Sequence, residues 1–173
     1  MRHSLPASAM IAVSFVLVTF VSCQETEKGD ATWYLTGTDS TNVIKEVSAA
    51  VDALADSYAK MDPDKSAQFW ERSPEMMYAE NGEKYANWDS IFSAIKGIYS
   101  KPVESVEVRF ESRDILPLSR ASAHVFLRFD FRVKFKPDRL FHTKGFLTAL
   151  LVKKGATWKI MSGHESWKPV ADK

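Results

Sequence analysis

Apolar residues recur along this chain with two different periods, and the change from one to the other divides it. Ile44, Val47, Val51, Leu54, Tyr58 and Met61 repeat at intervals of three and four, the stripe of a helix with one buried face. Lys45, Glu46, Asp52, Asp56 and Lys60 fall mainly opposite. Asp39, Ser40 or Thr41 can cap its start, and Asp62-Pro63 ends it, because a residue before proline avoids the α region. Pro63 suits the first position of a second, short helix over 64–70 that buries Phe69 and Trp70. A strand from Met76 to Ala79 then turns at Asn81-Gly82 and returns through Lys84 to Ala86. Asn87 or Asp89 caps a third helix, which turns Ile91, Phe92, Ile95, Ile98 and Tyr99 inward and stops at Ser100-Lys101-Pro102.

Beyond Pro102 the period falls to two. Residues 103–115 alternate, with Val106, Val108 and Phe110 on one side, and Pro117 is expected to break the run. Residues 121–135 alternate over a longer span. Ala123, Val125, Leu127, Phe129, Phe131, Val133 and Phe135 face the core, and His124, Phe126, Arg128, Asp130, Arg132 and Lys134 face away. Residues 140–152 are apolar on both parities, which predicts a central strand covered on both faces. In the last strand Trp158, Ile160, Ser162 and His164 share one side by parity, and Lys159, Met161, Gly163 and Glu165 the other. Helices followed by a long meander predict an α+β domain with three N-terminal helices packed on a curved antiparallel sheet.

The N-terminus reads as an address. Met1-Arg2-His3 precedes an apolar run over 11–21, too short for a bilayer core, which takes about 20 residues, but suited to a signal peptide. Val21-Ser22-Cys23 resembles a bacterial lipoprotein signal, with Phe20 departing from the usual leucine. The resemblance implies a signal peptide over 1–22 and a lipid on Cys23. Residues 23–39 would be a polar tether and residues 40–170 the folded domain, held at the cell envelope on the periplasmic or outer-membrane side. Ordinary signal-peptidase cleavage, giving a soluble secreted or periplasmic protein, is the alternative. Trp33-Tyr34-Leu35 is an apolar patch that can dock on the domain.

Composition narrows the function classes. The 23 basic and 22 acidic residues nearly cancel, which gives no electrostatic case for nucleic acid. The single cysteine excludes an intramolecular disulfide, and the 12% aromatic content favours a large core with room for a hollow.

The order of elements resembles the nuclear transport factor 2-like fold, a cone, and its SnoaL-like branch in particular. The matching stretches are Asp62-Pro63-Asp64 with Phe69-Trp70, Asn81-Gly82, Asn87-Trp88-Asp89-Ser90-Ile91, and Lys154-Gly155-Ala156-Thr157-Trp158-Lys159-Ile160. The resemblance implies a pocket between the helices and the concave sheet face, in a fold that hosts isomerases, dehydratases, cyclases and non-catalytic modules.

Within that pocket His164 is the candidate catalytic residue, a base or hydrogen-bond donor, with a satisfied histidine near the rim as the alternative. Tyr58, Tyr78, Trp70 and Trp88 are the candidate ligand-binding residues, although buried tyrosines find partners in plain cores as well. The steroid-isomerase branch has a carboxylate base on the strand after the second helix and a tyrosine donor on the first helix. Here Tyr78 and Leu54 fall near those places, so neither group is matched. His164-Glu165-Ser166-Trp167 lacks the second histidine of a zinc-protease motif, and no metal or other cofactor is expected. Arg128, Asp130 and Arg132, with Phe126 among them, read as cross-strand ion pairs on a homodimer face or as a grip for a carboxylate.

Three functions remain. One is a cell-envelope lipoprotein whose cone binds a small apolar ligand or only dimerises. Another is an acid–base enzyme of SnoaL type, an isomerase or dehydratase/hydratase. The third is a structural accessory domain of an envelope complex. An inward, buried ionisable group beside an open cavity separates the second from the others.

Overall fold

The computed structural model describes residues 34–171. The expected signal peptide over 1–22, Cys23 and Trp33 lie outside the described residues.

Among the described residues nine elements follow in order: α1 (Gly37–Ala59), α2 (Pro63–Ala67), β1 (Met77–Glu80), β2 (Glu83–Tyr85), α3 (Trp88–Tyr99), β3 (Val103–Ser119), β4 (Ser122–Phe135), β5 (Arg139–Lys154) and β6 (Thr157–Pro169). Helix α1 starts earlier than its polar residues suggest, with Thr36 at the N-cap and no side-chain cap. Its buried positions are Val43, Val47, Val51, Leu54 and Ser57, so the stripe is rotated by one residue at its start and Ile44 is exposed. Met61 lies past the helix end in a left-handed conformation. The caps of the other helices follow the sequence: Asp62 accepts from Lys65 N at 3.0 Å, and Asn87 and Ser90 form a reciprocal capping box.

All six strands form one sheet in the order β2-β1-β6-β5-β4-β3. The expected all-antiparallel sheet needs one correction, because β1 pairs with β6 in parallel, Tyr78 opposite Gly163 and Glu80 opposite Glu165. The Asn81-Gly82 hairpin thus extends the sheet, with positive φ at both turn residues. Pro117 does not end β3; the strand runs on to Ser119 along the sheet edge, where a missing N–H costs no ladder bond. The Pro117 carbonyl instead accepts from Leu35 N at 2.8 Å, which docks the part of the apolar patch lying within the described residues.

Helix α1 crosses the concave face and is tied to β3 by Arg113, which ion-pairs with Asp52 and donates to Ser48 O at 3.3 Å. Trp158 is buried in the core and tied to α1, donating Nε1 to Glu46 Oε2 at 3.0 Å. The alternation read along β4 is observed. Strand β5 is central, but only its concave face is covered: Phe146 is 42% exposed and stacks on Phe126, 38% exposed, across the convex face. Beside this pair Asp130 is buried among Arg132, His142 and Lys144 at 2.9–3.1 Å, so the charged residues there are mutually paired.

Strand β6 contains the feature that decides the site. Ile160 pairs with Leu151, and Ser162 pairs with the next residue along, Leu150. Met161 is an extra residue, a β-bulge that reverses the parity of everything after it.

Candidate functional site

A cavity of about 140 Å³ lies between α1, α3 and the concave face. Leu54 and Tyr58 of α1, Ile91, Ile95 and Ile98 of α3, and Phe110, Phe129, Phe131 and Leu147 of the sheet give it apolar walls. Trp70 and Tyr78 close one side, their rings edge to face at 4.7 Å between centroids. An apolar void of about 150 Å³ accepts a benzene-sized guest, so the interior is open enough to hold a small molecule. Beside it is a wider space, a vestibule lined by Lys101, Phe135, Arg139, Phe141 and Trp167; Glu80, Tyr85, Ala94, Ile98, Phe131 and Glu165 line both spaces.

Two carboxylates stand at this junction on neighbouring strands. Tyr78 donates its hydroxyl to Glu165 Oε2 at 2.6 Å, and Trp167 donates Nε1 to Glu80 Oε1 at 2.7 Å. The β1–β2 turn fixes the backbone around them: Asn81 N donates to Glu165 O at 3.1 Å, and Asn81 Oδ1 accepts from Trp167 N at 3.0 Å. At Gly163 the strands are close, since a Cβ there would stand 3.0 Å from Thr148 O and in contact with Tyr78 Cδ2 at 3.4 Å.

Burial among these rings pushes the Glu165 carboxyl up to about 7. The Tyr78 hydrogen bond works against that rise and the negative charge of Glu80 adds to it. Burial and then the Glu165 charge drive the Tyr78 and Tyr58 hydroxyls upward, so both remain protonated donors. The Trp70 indole approaches the Tyr58 hydroxyl closely enough to offset a little of its rise but falls short of hydrogen-bond geometry, so Trp70 Nε1 is buried without a partner. Lys101 and Arg139 line the vestibule, yet neither pairs with Glu80 or Glu165; the Arg139 guanidinium lies 4.5 Å from the centroid of the Phe135 ring. A carboxyl half-ionised near neutral pH in an apolar chamber, with fixed donors beside it, is equipped to take and return a proton.

His164 is corrected by this geometry. The bulge at Met161 puts it on the convex face, exposed, in a shallow depression with His124, Thr148 and Ser162. Its neighbour Glu165 points inward instead. Trp88 also lies outside the cavity: its Nε1 donates to Ala67 O at 3.1 Å and its ring stacks on Phe92, which ties α3 to α2. Tyr58, Tyr78 and Trp70 are brought together at the chamber. Sequence reasoning missed Glu165 and Glu80. The available signal was Trp167, whose odd parity against Trp158 and Ile160 implies a slip between them on a strand that keeps one face inward.

The sequence model of the SnoaL-like domain matches residues 47–171. This chain belongs to the SnoaL-like family. Solved structures similar to this SnoaL-like chain include a nuclear transport factor 2-like protein of unknown function from Shewanella oneidensis. It is 21% identical, with a TM-score of 0.58, covering 72% of this chain and 98% of that one. A protein named as a candidate scytalone dehydratase from Novosphingobium aromaticivorans is 12% identical, with a TM-score of 0.66, covering 78% and 89%. A candidate dehydratase of the nuclear transport factor 2-like family from Streptomyces avermitilis is 14% identical, with a TM-score of 0.63, covering 76% and 99%. At these identities the likeness is one of fold. No curated protein matches the chain.

Proposed function

We propose that this SnoaL-like protein is an acid–base enzyme acting on a small, mostly apolar substrate, as an isomerase or a dehydratase/hydratase. One observation carries the reading: Glu165, half-buried, lines an open cavity, with its carboxyl pushed up to about 7 and a tyrosine donor 2.6 Å away. In this reading Glu165 takes a proton from carbon, and Tyr58 and Trp70 donate to the oxygen where charge develops. The dehydratase names of two structural neighbours are in keeping with it.

The probe 5-nitrobenzisoxazole tests it without knowledge of the natural substrate. A base takes its C3 proton, the C–H electron pair completes a nitrile, and the N–O bond breaks to a coloured phenolate. The protein should accelerate this reaction about 100-fold or more over free carboxylate, as a positioned general base does. The rate should rise with pH through about 7, the Glu165 value. Glu165→Gln should remove the acceleration and His164→Ala should leave it within about twofold. Full activity in Glu165→Gln would end the proposal.

Two further parts of the proposal concern address and assembly. Cys23 would carry a lipid and hold the domain at the bacterial envelope; labelling by a palmitate analogue that persists in Cys23→Ala would remove that reading. The stacked, exposed Phe126 and Phe146, with Leu140 also exposed, support a homodimer through the convex face. Phe126→Asp should convert a dimer to a monomer in sedimentation velocity, and an unchanged sedimentation coefficient would exclude this face.

A further inference from the structure

The charge of the cavity is out of balance, and the imbalance describes an occupant. Glu80 and Glu165 face the same junction, each held by one neutral donor, Trp167 Nε1 and Tyr78 Oη. Among the described residues no cation pairs with either. The groups facing Glu165 are Tyr58 from α1, Tyr78 and Glu80 from β1, Tyr85 from β2, Lys101 beyond α3 and Arg139 from β5. The two cations in that set stand toward the vestibule, and the carboxylates stand between them and the chamber.

Around the carboxylates the walls are aromatic. The Tyr78 and Tyr85 rings are 5.7 Å apart, Phe141 meets Trp167 edge to face at 5.5 Å, and Phe131 meets Tyr58 at 6.5 Å. Ring faces attract cations whose charge is spread over carbon-bearing groups, and a carboxylate beside them adds a directional partner. A hard metal ion would need more oxygen ligands, and among the described residues no group of three or more metal-ligating side chains converges. A second observation lies in the chamber wall, where Trp70, 6% exposed, has its indole N–H buried without a hydrogen-bond partner among the described residues.

We propose that the natural occupant is a small organic cation, with a substituted ammonium group between Glu80 and Glu165, an apolar body in the chamber and a hydrogen-bond acceptor at its inner end for Trp70. The inference deepens the acid–base reading and rests on the same site. It adds a coupling: a cation beside Glu165 favours its ionised form, so binding expels the proton and readies the base.

Phenyltrimethylammonium and its uncharged isostere tert-butylbenzene test the proposal, with calorimetry on the full domain in buffers of different ionisation enthalpy. The cation should bind at least 10-fold more tightly at pH 7 and release about half a proton, since Glu165 is then about half protonated. Removing both charges, in the double variant Glu80→Gln/Glu165→Gln, should bring the two affinities within about threefold of each other. Equal affinities in the wild type, or a preference for the cation that survives the double variant, would overturn it. The nitrobenzisoxazole assay separates the two readings. A Glu165-dependent rate without cation preference defeats only this inference, and cation preference without that rate defeats only the acid–base reading.

Discussion

Replacing Glu165 by glutamine should make the protein more stable above neutral pH while removing its base. The amide has the shape of the protonated carboxyl, can accept the Tyr78 hydrogen bond and never ionises. Glu165 is raised from the ordinary 4.5 to about 7 in the folded chain. A folded state that holds a proton more tightly than the unfolded one is favoured at low pH. The contribution of Glu165 is therefore fully present below about 4.5, declines as pH rises towards 7, and is absent above it. At about 1.4 kcal/mol per tenfold change in proton affinity, the span amounts to about 3 kcal/mol, or roughly 10 °C in Tm for a domain of this size. Urea unfolding of wild type and Glu165→Gln from pH 4 to pH 9 measures it. The curves should coincide near pH 4 and separate by about 3 kcal/mol at pH 8, with the variant the more stable. Parallel curves would mean that Glu165 ionises as an ordinary surface glutamate, and the acid–base proposal would lose its physical basis.

Other perturbations probe the same framework. Tyr78→Phe removes the hydrogen bond that lowers the Glu165 pKa, so the midpoint of the nitrobenzisoxazole pH profile should move upward by about one pH unit; a fixed midpoint would mean that the bond does not favour the ionised form. In Gly145→Ala the new Cβ would stand 2.2 Å from Ser166 O and 2.6 Å from Trp167 Cβ, forcing β5 and β6 apart. That should cost about 1–3 kcal/mol in urea unfolding and weaken the Trp167–Glu80 contact at the vestibule, and a loss below about 0.5 kcal/mol would show that the strands yield freely. Asn87→Ala removes the capping box of α3 and should cost about 1 kcal/mol by the same measurement; no loss would mean that tertiary packing alone holds the helix start.

Much of the fold was legible because its signals are local. The stripe on α1, the Asn81-Gly82 turn, the Asn87 cap and the alternation of β4 each depend on a few neighbouring residues and on backbone preferences that tertiary packing did not override. The differences arise where a distant strand decides. Pro117 continues β3 because β3 is an edge, which no local pattern states. The apolar convex positions of β5 suggested a second covering layer, whereas Phe146 stays exposed, stacked on the likewise exposed Phe126. The candidate site turned on one residue. Nothing in Ile160-Met161-Ser162 marks a bulge, since bulges need no glycine or proline, and a slip of one position exchanges the two faces of a strand. His164 and Glu165 therefore traded places, and the inward carboxylate escaped notice although Trp167 carried the trace of it.

The parallel pairing of β1 with β6 also sets the order in which the protein becomes competent. Glu80 belongs to the first strand and Glu165 to the last, and the two meet only when that final strand joins the sheet. During synthesis, at about 5–20 residues per second, every earlier strand emerges while half of the acidic pair does not yet exist. The mutual repulsion of the carboxylates is thus confined to the closing step, after β3, β4 and β5 can already pair. A nascent chain carries no partial version of this chemistry.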